Sequence, residues 1–510
     1  MSLRPDNDKA AGRWPSADAS WFRDKRVTVM GLGIHGGGVG IAKWLRRHGA
    51  IVTATDLRDQ HALASSLEEL ERTYLEEVRA IGKRRMHRIR YVLGSHPEEL
   101  FTDADMVIRN PAVPRAHRLL TLARRSGVPV ESDISIFFLL CPFPIAAISG
   151  TKGKTTTTAL LAAMCREADR RTVVGGNIRI SPLDKLDRLL ALAAKRTSPP
   201  PIVLELSSWQ LESLEPHRLS PHVGVLTTIV EDHLDRYEGM DDYARAKEII
   251  VAYQGRDDIA VLNADNPRTA AIGTWHGQIA GAPNAGRRLW FSAKPLRSGD
   301  GCWIAGGKIL IREGGTRTVV APVSAIKLPG EHNRGNALAA IAAARAMGVP
   351  LAAVRKALRA FRGVPYRLED LGVKRGARFV NDTAATAPDA SVAAMAAYAG
   401  KGRKRIVLIA GGADKNLRFD EWAKAVKRTV KHLVLFDGSA TPKMEAALSA
   451  AGAMTPRAGA RSMREAFAEA VRHAKRGDVV LLSPGCASFG IFKNEFDRGD
   501  QFSALAKKLR

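Results

Sequence analysis

Cysteine is scarce in this chain, with four residues in 510. Cys141, Cys165, Cys302 and Cys486 stand far apart, and no two have Cys-x-x-Cys spacing. That excludes a disulfide scaffold and a thiolate zinc site, and it fits a reducing, cytoplasmic setting. Aromatic residues are few, at 6%, and do not interleave with basic clusters. A stacking platform for single-stranded nucleic acid needs that interleaving. No uninterrupted apolar stretch approaches the ~20 residues that span a bilayer as a helix, so no membrane partner is expected. The polar stretch Met1 to Ser20 has no apolar segment of the secretory type. It is expected not to be a signal peptide, and residues 1–21 are expected to form a disordered extension. Acidic residues are also short, 52 against 78 Lys and Arg, which leaves a formal net charge of +26. Such a charge attracts nucleic acid or anionic small substrates. The basic residues are spread out, apart from short clusters such as Lys83-Arg84-Arg85 and Arg403-Lys404-Arg405. With no DNA-binding motif, solvated arginine-rich faces are the simpler reading, and no nucleic-acid partner is expected.

The remaining composition is ordinary for a globular chain, 45% hydrophobic and 25% charged. Its length calls for roughly two to four domains. An apolar run, Val27-Thr28-Val29-Met30, enters a glycine-rich turn, with a helical stretch from Ile41 to His48 and a second strand from Ile51 to Thr55 ending at Asp56. This is a βαβ unit. A second segment opens on Ile145-Ala146-Ala147-Ile148 and continues through expected strands at Ile202 to Leu206 and Val223 to Ile229. The Gly- and Arg-rich stretch Pro283 to Thr318 reads as short strands and loops. A third segment carries expected strands Ile406 to Ala410, His432 to Phe436 and Val479 to Leu482. Strands alternating with helices throughout imply mostly parallel, doubly wound sheets. The expected fold is α/β in three domains. They are a Rossmann-like domain over 22–140, a P-loop-type ATPase domain over 141–362 and a Rossmann-like domain over 363–510.

Three motifs carry chemistry. Gly150-Thr151-Lys152-Gly153-Lys154-Thr155-Thr156 lies between an expected strand and helix. Backbone N–H groups of such a loop face phosphate oxygens, Lys154 would bridge the outer phosphates, and the Thr155 hydroxyl would ligate Mg²⁺. The general pattern GxxxxGK[ST] needs a glycine where Ile148 stands, so this is a variant. Gly31-Leu32-Gly33-Ile34-His35-Gly36, with Asp56 about twenty residues on, reads by itself as a dinucleotide fingerprint, and the same turn can hold any nucleotide diphosphate. A dehydrogenase would also need a nicotinamide site, which nothing else here supports. Third, Glu205 and Ser207 follow one strand and Glu231-Asp232-His233 another. Carboxylate and imidazole at strand ends beside a phosphate loop suit Mg²⁺.

Together with Tyr243-Ala244-Arg245-Ala246-Lys247, His332-Asn333-Arg334-Gly335-Asn336, Tyr366-Arg367-Leu368-Glu369, Asn381-Asp382, Gly411-Gly412, Leu482-Ser483-Pro484-Gly485-Cys486-Ala487-Ser488 and Phe492-Lys493-Asn494, these motifs resemble the Mur ligases of peptidoglycan precursor synthesis. The resemblance runs in order from about Val27 to Leu509. It implies ATP-dependent ligation of glutamate, D-glutamate first, to UDP-N-acetylmuramoyl-L-alanine through an acyl phosphate, by a protein expected to be a monomer. By the same resemblance, Gly33, Ile34, His35, Asp56 and Arg58 would lie near the uridine diphosphate. Lys154, Glu205, His233 and Lys247 would be catalytic. Thr155, Glu205, His233 and a carbamylated Lys247 would hold Mg²⁺. Asn177, Ser207 and Gln210 would contact the muramoyl substrate, and Asn333 and Asn336 the adenine. Arg367 and Asp382 would hold ATP phosphate and ribose, and Thr386, Lys415, Ser488 and Phe492 would line the glutamate pocket. The chain departs from the family pattern at Tyr366, Ala384, Ala387, Gly490 and Ala413-Asp414. All of these fall in the segment that selects the amino acid, which leaves L-glutamate or another amino acid open. A basic ATPase acting on nucleic acid is the distant alternative.

Overall fold

A computed structural model of the chain describes residues 18–33, 37–81, 86–178, 180–232, 236–275, 286–400, 402–414, 417–488 and 490–509. They form two compact units. One holds the residues up to Val323 together with Gly335–Ala357, the other Ser324–Arg334 and Leu358 onward.

The first unit contains two sheets. The N-terminal sheet comprises β1 (Arg26–Met30), β2 (Ile51–Asp56), β3 (Arg90–Leu93), β4 (Met106–Arg109) and β5 (Val130–Glu131). Its order is β3-β2-β1-β4-β5, and every pair is parallel. Parallel neighbours require crossovers, and the helix Gly37–Arg47 supplies the first one. That helix begins four residues before the expected Ile41.

The second sheet comprises β6 (Ala146–Ser149), β7 (Val173–Gly176), β8 (Ile202–Glu205), β9 (Val223–Leu226), β10 (Ile259–Asn263), β11 (Arg287–Ser292), β12 (Gly301–Ala305), β13 (Lys308–Glu313) and β14 (Thr316–Pro322). Its order is β14-β13-β12-β11-β10-β9-β6-β8-β7. β6, β8 and β9 are buried along their whole length, as continuous apolar runs in a covered parallel sheet must be. The Gly- and Arg-rich stretch becomes β11 and an antiparallel extension, β12 to β14. β9 stops at Leu226 rather than Ile229 because the Thr227 hydroxyl turns back to the Ser149 and Lys152 carbonyls.

Both sheets share one hydrophobic core, from Phe22, Val29 and Trp44 through Phe137 and Ala147 to Leu204 and Leu262. Polar contacts join them as well. Trp44 Nε1 and His48 Nε2 lie 3.0 and 2.9 Å from Asp187 Oδ1. Arg236 donates to the Pro111 and Ala112 carbonyls, with its guanidinium 4.1 Å above the Trp209 ring.

The second unit is built on β15 (Glu369–Lys374), β16 (Ala377–Asn381), β17 (Ile406–Ala410), β18 (Val430–Phe436), β19 (Arg457–Ala460) and β20 (Val479–Leu482), in the order β15-β16-β20-β17-β18-β19. The β15/β16 hairpin is antiparallel and the other pairs are parallel. Separate apolar clusters cover the faces, one around Trp422 and Met395, the other around Phe379, Phe467 and Phe502.

Candidate active site

The expected phosphate loop leaves the carboxyl end of β6, which lies between β9 and β8. The adjacent parallel strands therefore deliver Glu205 and the segment after Leu226 to the same edge. The loop turns through backbone that disfavours a side chain. Gly153 sits at φ +89, and a Cβ there would meet Asn336 Oδ1 at 2.2 Å. Thr151 N–H donates to the Thr228 carbonyl at 2.7 Å, and Lys152 N–H donates to the Thr228 hydroxyl at 3.2 Å. The helix Lys154–Ala168 follows at once, so its first N–H groups and its positive dipole end face the loop. Thr155 is half-buried and Thr156 buried in that first turn.

Two amines converge on one carbonyl. Lys154 Nζ donates to Gly150 O at 2.8 Å and Thr151 O at 3.1 Å, and Lys247 Nζ donates to Gly150 O at 3.2 Å. Lys247 is 2% exposed, on the helix Met240–Ala252, with Nζ 4.6 Å above the Tyr243 ring. Burial, then the nearby Lys154 ammonium, pushes its amine down to about 6, against an opposing pull from Asp232.

Glu205 is buried. Its Oε1 accepts from Asn177 Nδ2 at 2.9 Å, whereas Oε2 has no hydrogen-bond partner among the described residues. A buried carboxylate oxygen left unpaired is destabilising by about 1–3 kcal/mol or more, so this corner calls for a cation. His233 lies outside the described residues. Ser207 and Gln210 are occupied with one another. They form a reciprocal capping box on the helix Ser208–Leu211, which fixes the backbone directly after Glu205.

At the N-terminal glycine turn, Asp56 Oδ2 accepts from Gly33 N–H at 3.0 Å, and Oδ1 accepts from Arg58 N–H and Nε. Burial alone would raise the Asp56 carboxyl, yet these donors and the Arg58 charge hold it below its ordinary range. Asp56 thus shapes the turn, and Arg58 is exposed beside it. Ile34 and His35 lie outside the described residues.

In the second unit, Asp382 follows β16 and is buried, accepting from Leu368 N–H at 3.0 Å and Ser483 Oγ at 2.8 Å. Burial pushes its carboxyl up to about 7, opposed by those donors and the Arg367 charge. Arg367 itself is exposed. Asn333 Nδ2 donates to the Pro329 carbonyl at 2.6 Å. Thr386 is half-buried and Ser488 buried, while Phe492 packs edge-on against Phe436. Lys415 lies outside the described residues. Of the departures, Tyr366 donates its hydroxyl to Asp500 at 2.6 Å and stacks edge-on with Phe496.

Thr227 and Asn263 matter although the motifs did not single them out, and Arg498 has a role that its motif did not reveal. Thr227 clamps the phosphate loop through Ser149 O and Lys152 O, and Asn263 Nδ2 holds the Thr227 carbonyl at 2.7 Å. Arg498 is fully buried and bonds Thr383 Oγ1 and O at 3.0 Å, with the Cys486 and Ala487 carbonyls at 3.4 Å. It ties the segments after β16 and β20 together. The terminal motif continues into Arg498-Gly499, but only the fold reveals what Arg498 holds.

Family models match the chain in three successive stretches. They are a MurD-like N-terminal domain over residues 25–132, a Mur ligase middle domain over 148–344 and a Mur ligase glutamate ligase domain over 366–486. The UDP-N-acetylmuramoylalanine–D-glutamate ligase of Roseiflexus sp. (strain RS-1) is 44% identical over 95% of this chain and 99% of its own. The enzyme of the same name from Pelotomaculum thermopropionicum is 37% identical over 96% and 99%. Among solved structures, UDP-N-acetylmuramate-alanine ligase MurC from Thermotoga maritima shares the fold at a TM-score of 0.58 and 19% identity, covering 95% of this chain and all of that one. On these three domains and this near full-length identity, the chain belongs to the Mur ligase family, with an N-terminal domain of the MurD-like type.

Proposed function

We propose that this chain joins D-glutamate to UDP-N-acetylmuramoyl-L-alanine, consuming ATP and releasing ADP and phosphate in the cytoplasmic stage of peptidoglycan precursor synthesis. The observation that carries this reading is the convergence at the carboxyl ends of β6, β8 and β9. A phosphate loop, an unpaired buried Glu205 oxygen and the Lys154 and Lys247 amines meet there. The relatives' shared name supports the choice of substrates.

In this reading the alanine carboxylate attacks the γ-phosphorus, ADP leaves, and an acyl phosphate forms. The glutamate amine then adds to the acyl carbon and gives up a proton, and phosphate departs with one former carboxylate oxygen and takes up a proton. Negative charge on the transferring phosphoryl group is met by the Lys154 ammonium and the N–H groups of Gly150 to Thr156. Lys247, neutral above about pH 6, adds CO₂ and loses a proton, which turns an amine into a carbamate. Thr155, Glu205, His233 and that carbamate would hold Mg²⁺, which supplies charge neutralisation on the phosphates. Asn177, Ser207 and Gln210 face the muramoyl group, and Gly33, Ile34, His35, Asp56 and Arg58 the uridine diphosphate. Asn333, Asn336, Arg367 and Asp382 serve the nucleotide, and Thr386, Lys415, Ser488 and Phe492 the glutamate. The working domains on this reading are 22–140, 141–362 and 363–510.

The test is coupled ADP release with UDP-N-acetylmuramoyl-L-alanine and each glutamate enantiomer. ADP formation that requires the UDP substrate and D-glutamate is expected. Turnover only with L-glutamate would favour the second reading, which rests on Ala384, Ala387 and Gly490. No turnover with either enantiomer would sink both.

A further inference from the structure

His432 lies near the amino end of β18, whereas Asp382 and Ser483 follow the carboxyl ends of β16 and β20 in the same parallel sheet. Above His432 runs the helix Met463–His473, which presents Glu469 and His473 one turn apart on one face. The two imidazoles and the carboxylate each offer a ligand atom, and these atoms all lie within 4.8 Å of one another. We propose that His432 Nε2, Glu469 Oε1 and His473 Nε2 form a binding site for one divalent transition-metal ion of the Zn²⁺ class, at the end of this sheet opposite Asp382 and Ser483.

Three observations support it. His432 is 5% exposed, and its Nε2 has no hydrogen-bond partner among the described residues, although Glu469 Oε1 lies 3.4 Å away. A buried nitrogen that faces a carboxylate at 3.4 Å without a well-formed hydrogen bond can take an ion as its partner. Second, Arg472 takes the other carboxylate oxygen at 2.5 Å, so Oε1 is presented to both imidazoles, with His473 Nε2 at 3.0 Å. Third, two imidazoles and one carboxylate form a donor set suited to Zn²⁺ and its neighbours. Mg²⁺ and Ca²⁺ prefer oxygen ligands throughout. The rings of His432 and His473 stack at 3.7 Å with 9° between their planes. Parallel rings cannot both direct an in-plane lone pair at one ion, so binding turns one ring out of the stack. His473 is the one that turns, because its side chain is 41% exposed and His432 is packed. The same exposure leaves a fourth position to water.

The experiment is calorimetric titration of Zn²⁺ into the chelator-treated, dialysed full-length protein in excess Mg²⁺. One tight equivalent is expected for the wild type and for Glu205→Ala, whose substitution removes an oxygen ligand at the other site. His473→Ala and Glu469→Gln should each weaken that equivalent by at least about tenfold. Their ADP-release rate without Zn²⁺ should match the wild type. His473 is surface-exposed, so its replacement leaves the fold standing. No tight equivalent, an isotherm unchanged in His473→Ala, or an equivalent lost in Glu205→Ala would overturn the proposal. In those cases the three residues are a hydrogen-bonded stack and nothing more.

Discussion

Lys154 and Lys247 present the central problem at the scale of single residues, because two amines share the Gly150 carbonyl. Two adjacent ammonium groups repel, and the buried one gives up its proton. Carbamylation, as proposed, would put an anion in place of that neutral amine beside Lys154. Enzyme kept in ¹³C-labelled bicarbonate above pH 7 should therefore show one protein-protected carbamate carbon by NMR. Lys247→Arg should lack that signal and lose activity by roughly three orders of magnitude. As pH falls through about 6 the amine protonates, and both signal and activity should fall together. Asp382 makes a second residue-scale prediction. Its folded carboxyl titrates near 7, above the ordinary 3.8, so between those values the folded chain holds a proton that the unfolded chain has released. Stability from this site is complete below about pH 4 and is lost as pH rises through about 7. Asp382→Asn should remove that slope in urea unfolding and raise stability at pH 8, by up to about 4 kcal/mol at 1.36 kcal/mol per pKa unit. A variant with the wild-type slope would show that the carboxyl is ionised in the fold.

At the scale of elements, the phosphate loop keeps its shape because neighbours clamp it. Thr227 and Thr228 bind it from the end of β9, and Asn336 closes against Gly153. Gly153→Ala puts a Cβ where Asn336 Oδ1 lies and forces an alanine into left-handed backbone. ATP affinity is expected to fall at least about tenfold, with about 1–3 kcal/mol lost in stability, readable by nucleotide titration and denaturant unfolding. Wild-type affinity would mean that the loop does not hold phosphate in this form. The loop and Glu205 could be placed from sequence because strand-to-turn-to-helix order is local, whereas Lys247 entered only through the family resemblance. The clamp was not, since Thr227 sits in an apolar run that reads as continuous strand through Ile229. Ser207 and Gln210 illustrate the converse. The resemblance assigns them to the muramoyl substrate, and in the fold they cap a helix.

At the scale of the whole molecule, alternating strand and helix periodicity was enough to give three mostly parallel α/β domains. Periodicity says nothing about which sheets share a core. Trp44 and Asp187 are 143 residues apart, and only the fold places them together. One hydrophobic core under the first two sheets fixes the glycine turn and the phosphate loop within a single unit. The proposed amino-acid pocket was the least legible part, because the residues assigned to it follow β16, β17 and β20 in separate stretches of the sequence. Tyr366, Ala384 and Gly490 also depart there from the family pattern. The proposed acyl phosphate is the central step, and oxygen transfer tests it. UDP-N-acetylmuramoyl-L-alanine labelled with ¹⁸O in its alanine carboxylate, turned over with ATP and D-glutamate, should yield inorganic phosphate that carries one label. Phosphate released without label would mean that water, not the carboxylate, attacks the nucleotide, and would contradict the account.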